Sequence, residues 1–201
     1  MMKIFKRLMI IFIMAGLILP LPLTAQAAGN IDLTKDARLN ISYHDGDKAL
    51  SNAKFSIYLV ATIDRYGELT VTDDFKDYNV DIRGKNDETW KELATTLEGY
   101  VLRDKITPAD SGTTDTRGEL SFPTNDKRLD MGLYLVIGER HKQGHYRYDP
   151  QPFMVLLPTQ DLEKNVWDYT VTADVKYDRT KTTTPPPPTG DNVTRKVLKV
   201  W

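Results

Sequence analysis

The chain has 201 residues, 40% of them hydrophobic and 27% charged, the balance of a folded globular chain rather than a disordered one. It contains no cysteine, which excludes a disulfide framework and thiol chemistry. The formal net charge is −1, and losing Lys3, Lys6 and Arg7 with a cleaved leader takes it to −4, so neither nucleic acid nor an anionic membrane is an expected partner.

Residues 1–27 read as a secretory signal peptide. Lys3, Lys6 and Arg7 form the basic start, 8–19 is apolar, and Pro20 and Pro22 break the helix. Ala25-Gln26-Ala27 puts small residues at the −3 and −1 positions, so cleavage is expected between Ala27 and Ala28. The apolar run is short for crossing a bilayer, and no membrane contact is expected once it is removed.

In the mature chain, Leu39, Ile41 and Tyr43 alternate, which predicts a first strand over 37–44. Asp45-Gly46-Asp47 is a turn signal, and the run 48–63 is β-rich, with Phe55, Ile57 and Leu59 alternating. A hairpin turn at 65–68 and a short strand over 69–72 follow, and 75–82 reads as extended or irregular. The helix prediction covers 87–105. Asn86 or Asp87 can cap it, and Trp90, Leu93, Ala94, Leu97, Tyr100 and Val101 share one face.

Beyond the helix, 108–118 reads as a polar loop and 119–122 as a short strand. The continuous apolar run after Gly132 predicts a buried strand. Residues 141–149 read as a polar hairpin tip. His141 and His145 have no helical face there to make a metal pair, and no metal or cofactor is expected. Another strand over 151–157 is closed by Pro158. In 167–176, alternation puts Trp167, Tyr169, Val171, Ala173 and Val175 on one face and leaves Lys176 at the rim of the domain. This stretch is expected to be the last strand before a Thr/Pro-rich linker, 180–195.

The spacing of that last stretch resembles the pilin motif of Gram-positive shaft pilins, WxxxVxVYPK. Trp167, Val171 and Lys176 stand at its Trp, first Val and Lys positions, while Ala173, Asp174 and Val175 replace its Val, Tyr and Pro. The run 47–58 resembles the opening of a Cna B-type domain, GKPLAGAxFxLY, and 132–139 resembles the strand of an E-box, YxLxE. The succession of segments resembles pilin N-terminal domains over most of 31–178. The resemblance implies an Ig-like β-sandwich spanning 28–179, with the helix as an insertion beside it.

In that family a sortase joins the motif lysine to the C-terminal threonine of the next subunit, so Lys176 is the expected acceptor. Expected partners are a pilin-type sortase, other pilin subunits and host surface or matrix proteins, at the cell wall. The alternative is a surface adhesin of the same fold whose lysine is never joined. Such domains often carry a first-strand lysine that forms an internal isopeptide bond, assisted by the E-box glutamate. Tyr43 stands in that lysine's place, and 170–176 contains no asparagine, so no internal isopeptide is expected. Glu139 lies one residue beyond the E-box spacing, which a bulge at Gly138 would restore.

Pro187-Pro188-Thr189-Gly190 resembles the sorting signal LPxTG, with Pro186 where leucine belongs, but no apolar span follows, and it reads as linker. Residues 196–201 resemble the first strand of a following Cna B-type domain, with Lys196 or Lys199 as its isopeptide lysine. One strand cannot fold alone, so the chain reads as a fragment or a truncated product. No phosphate loop, HExxH or GxSxG occurs, and an enzyme is not expected.

Overall fold

The computed structural model describes residues 29–83, 86–161 and 163–182. The expected cleavage pair Ala27 and Ala28, the segment Pro187-Pro188-Thr189-Gly190 and the expected strand 196–201 lie outside the described residues.

The chain begins with β1 (Arg38–Ser42) and a short hairpin of β2 (His44–Asp45) and β3 (Lys48–Ala49). Gly46 turns that hairpin with φ 61°, a backbone region that glycine enters without steric cost. The long β4 (Lys54–Ile63) and β5 (Leu69–Val71) come next, then the helix α1 (Asp87–Asp104). After it run β6 (Asp110–Thr113), β7 (Glu119–Phe122) and β8 (Gly132–Gly138). The hairpin β9 (His141–Gln143) and β10 (Tyr146–Pro150) leads to β11 (Phe153–Leu157). The last four strands are β12 (Thr159–Asp161), β13 (Val166–Asp168), β14 (Thr170–Asp174) and β15 (Tyr177–Lys181).

The fold is mainly β, a sandwich with one helix against its outer face. The larger sheet has the order β11-β8-β4-β5, with β6 also paired to β4; the smaller has the order β14-β1-β7. A third sheet, β15-β10-β9, closes one end. Between the two main sheets lie Leu39 and Ile41 of β1, Phe55 and Ile57 of β4, Phe122 of β7, and Tyr134 and Val136 of β8, all buried. The opposite face of the larger sheet packs Tyr58, Val60, Leu135 and Ile137 against Ala94, Leu97 and Val101 of α1. A sheet covered on both faces needs apolar residues on both, which is why β8 is an unbroken apolar run.

The helix forms where the sequence predicts it. Asn86 caps it: its side chain accepts from the Thr89 N–H at 3.0 Å, and Thr89 Oγ1 accepts from the Asn86 N–H at 2.9 Å. Lys105 ends it in the left-handed region. Trp90 is half-buried and lines a surface groove instead of the core. Glu98 is half-buried, and burial pushes its carboxyl above the usual range.

Four expectations are corrected. The loop predicted over 108–118 contains β6, which pairs with Lys54–Ile57 of β4 through polar residues whose backbones supply the ladder. The stretch 167–176 breaks at Tyr169 into β13 and β14, and a further strand, β15, follows it. Thr180 and Lys181, expected in the linker, pair with Arg147 and Tyr146, so the folded unit reaches at least Lys181. The register irregularity falls in β4 between Leu59 and Ala61, not at Gly138. There the backbones approach closely: a Cβ on Gly132 would sit 2.1 Å from the Ala61 carbonyl oxygen, so only glycine fits.

Leu97 is fully buried between helix and sheet. Leu97→Ala is expected to lower unfolding free energy by about 2–5 kcal/mol, the range for buried leucines, as measured by urea denaturation.

Candidate functional site

The candidate site is the rim carrying Lys176. β14 runs parallel to β1, with Val171 beside Leu39, Ala173 beside Ile41 and Asp174 beside Ser42. Along 167–175 the side chains alternate as the sequence predicts: Trp167, Tyr169, Val171 and Ala173 are half-buried against the core, Val175 is buried, and the residues between are exposed. Val175 donates its N–H to the Ser42 carbonyl at 3.0 Å, prolonging the ladder one residue past the strand. Lys176 is the next residue, and the alternation turns it to solvent.

The backbone at Lys176 is held from both sides. Its carbonyl accepts from the Gln151 N–H at 2.8 Å, and Tyr177 begins β15 against β10. The side chain stands on the rim of a groove of about 500 Å³, beside Asp174 and over an apolar floor of Trp90, Phe153, Met154 and Leu156. Among the described residues, no side chain forms a hydrogen bond or ion pair with the Lys176 amine. An unpaired lysine of this kind is a nucleophile only once deprotonated, and no neighbouring side chain bonds to it to take that proton.

Trp167 and Tyr169 have a second task. The Trp167 indole N–H donates to the Gly29 carbonyl at 2.6 Å. The Tyr169 hydroxyl accepts from the Asp32 N–H at 2.8 Å, and the Lys35 ammonium lies 4.8 Å from the Tyr169 ring centroid. The stretch that leads up to Lys176 therefore also clamps the lead-in 29–35. Sequence reasoning placed these aromatics on the right face but missed the clamp, whose partners lie more than a hundred residues away.

β15, which leaves Lys176, is anchored by Asp45. That carboxylate accepts from the Tyr148 hydroxyl at 2.9 Å, the Tyr177 hydroxyl at 3.0 Å and Arg179 Nη1 at 2.7 Å. Sequence reading had taken Asp45 only as a turn residue. The Arg179 bond, followed by those of the two tyrosines, holds its carboxyl below the usual range. Burial, with the Asp45 bond, pushes the Tyr148 phenol up to about 12.

Tyr43, at the place of the isopeptide lysine, is fully buried and meets Phe55 edge-on at 5.4 Å. Glu139 sits just past β8 and makes a half-exposed ion pair with Lys54 at 2.7 Å. The structure therefore does not bring Glu139 to a lysine of β1; the acid closes the end of β4 instead.

No family model matches this chain, and no curated protein matches it. Solved structures do. The full-length major pilin SpaD from Corynebacterium diphtheriae is 18% identical with a TM-score of 0.43, over 74% of this chain and 31% of that one. The SpaE basal pilin from Lactobacillus rhamnosus GG is 12% identical with a TM-score of 0.44, over 71% of this chain and 49% of that one. The N-terminal domain of the shaft pilin spaA from Lactobacillus rhamnosus GG is 18% identical with a TM-score of 0.37, over 75% of this chain and 99% of that one. The chain thus matches about a third of the length of the full-length major pilin.

Because the folded Asp45 carboxyl lies below its unfolded value of ~3.9, its contribution is present above that value and is lost as pH falls through the lower folded one. The urea midpoint of the full chain is expected to drop below about pH 4. Asp45→Asn should lower the midpoint at pH 7 and flatten this acid limb, followed by fluorescence.

Proposed function

We propose that this chain is a secreted pilus subunit of a Gram-positive cell wall, polymerised by a pilin-type sortase through Lys176. The observation that carries the reading is an exposed amine with no partner among the described residues, whose backbone is pinned on both flanks at the rim of an apolar-floored groove. The motif spacing Trp167, Val171, Lys176 supports it from the sequence side.

In this reaction the sortase holds the C-terminal threonine of one subunit as a thioester. The neutral amine of Lys176 attacks the threonine carbonyl carbon, the new C–N bond forms and the C–S bond breaks. The proton lost by the amine passes by way of a base of the sortase to the leaving thiolate, which regenerates the thiol. An ammonium is not a nucleophile, so the enzyme must supply the base that frees the amine. The pilin's part is to hold the amine in place, which lowers the entropic cost of bringing two chains together. The chain provides a nucleophile and is not itself an enzyme. Other subunits of the same polymer are its partners.

Incubation of the full chain with a pilin-type sortase and a donor peptide bearing a sorting signal is expected to give a covalent adduct. Mass spectrometry should place the bond between Lys176 Nζ and the donor threonine, and Lys176→Ala should abolish it. An adduct formed equally well by Lys176→Ala would overturn the assignment.

A further inference from the structure

The β15-β10-β9 sheet packs a cluster of aromatic rings against Tyr43, which lies between β1 and β2. His141 of β9 stacks on Tyr148 of β10 at 5.4 Å between centroids and lies 5.5 Å from Tyr43. Tyr177 of β15 meets both tyrosines edge-on, at 5.5 and 5.6 Å. Inside this cluster both ring nitrogens of His141 and the hydroxyl of Tyr43 are buried and reach no hydrogen-bond partner among the described residues. They are the only buried side-chain polar atoms of the described residues in that condition, and all lie on adjoining rings.

We propose that His141 is an acid-sensitive latch: its protonation below neutral pH opens the β9-β10-β15 sheet and loosens the segment that carries Lys176. An imidazolium must donate two N–H bonds, and the carboxylates nearest the cluster are already engaged. From β2, Asp45 is taken by Tyr148, Tyr177 and Arg179. From β10, Asp149 is taken by Arg140 and Arg147. From β3, Lys48 adds a positive charge 6.0 Å from the Tyr148 ring centroid. The buried hydroxyl of Tyr43, just past β1, is a single neutral acceptor and serves at most one of the two N–H groups. The tyrosine faces attract a cation but replace neither of the bonds that water would give it. Burial accordingly holds the ring's titration below the usual histidine value.

The sign follows. In the opened sheet His141 titrates near ~6.5, while in the closed sheet it resists the proton, so the open form binds more protons and gains as pH falls through that value. Between pH 7.5 and 5.5 the opening equilibrium should rise toward about tenfold, the ratio set by one unit below an opened-state value of ~6.5. The opened elements are those that pin Lys176, because β15 follows it directly and its backbone pairs with β10 and, at Thr182, with the His145 carbonyl. Only the consequence for Lys176 coupling rests on the proposed acceptor role; the latch itself does not.

Amide hydrogen exchange of the full chain tests it, with rates corrected for the intrinsic pH effect. Amides of β10 and β15 in the wild type are expected to open several-fold more at pH 5.5 than at pH 7.5, and His141→Phe, which keeps an aromatic ring but cannot titrate, should lose that rise. In parallel, NMR titration of the wild-type imidazole should give a midpoint below the ordinary histidine value. The proposal fails if His141→Phe keeps the acid rise, if the wild type shows none, or if the ring titrates at or above ~6.5. Because no sortase enters the assay, these results do not depend on whether Lys176 is an acceptor.

Discussion

The parallel ladder between β1 and β14 is the constraint on which the candidate site depends. It pairs Val171 with Leu39 and Ala173 with Ile41, and it extends through Val175 N–H to Ser42. Strand periodicity is two, so this register keeps Val175 buried and Lys176 exposed, as the alternation of the sequence requires. A slip of one residue would drive a charged amine into the core and turn the apolar row outward. The cost of burying an unpaired ammonium opposes such a slip.

Below Lys176 the chain meets a different problem. It has no cysteine, so the end of the domain is closed without a disulfide. The closure is a carboxylate with three donors, Asp45, set against a group of stacked and edge-on rings. Tyr43 contributes its ring to this packing. Non-covalent closure of this kind is reversible, and it sets a titratable imidazole among the rings.

The helix shapes the other side of the site. α1 covers the outer face of the larger sheet with Ala94, Leu97 and Val101, while Trp90 at its first turns is left to floor the groove beside Lys176. One apolar stripe thus serves two purposes. Most of it stabilises the fold, and its N-terminal end lies on the surface near the amine. The lead-in 29–35, bound to Trp167 and Tyr169, ties the beginning of the domain to the same edge.

Local sequence determined the elements. Alternation in 167–175, the capped stripe of α1, the turn at Gly46 and the unbroken apolar run of β8 each depend on residues a few positions apart, and backbone geometry turns such patterns directly into strands, helices and turns. It also placed Lys176 outward, since a period of two needs no knowledge of the partner strand. Tertiary structure alone decided who the partners are. The pairing of polar β6 with β4, the addition of β15 after Lys176, the change of Asp45 from turn residue to anchor and the burial of His141 in a seemingly polar hairpin all join residues tens to more than a hundred positions apart. Their short, polar segments carry no periodic signal, because the stabilisation comes from a neighbour's backbone or ring and is settled only when the chain has folded around it.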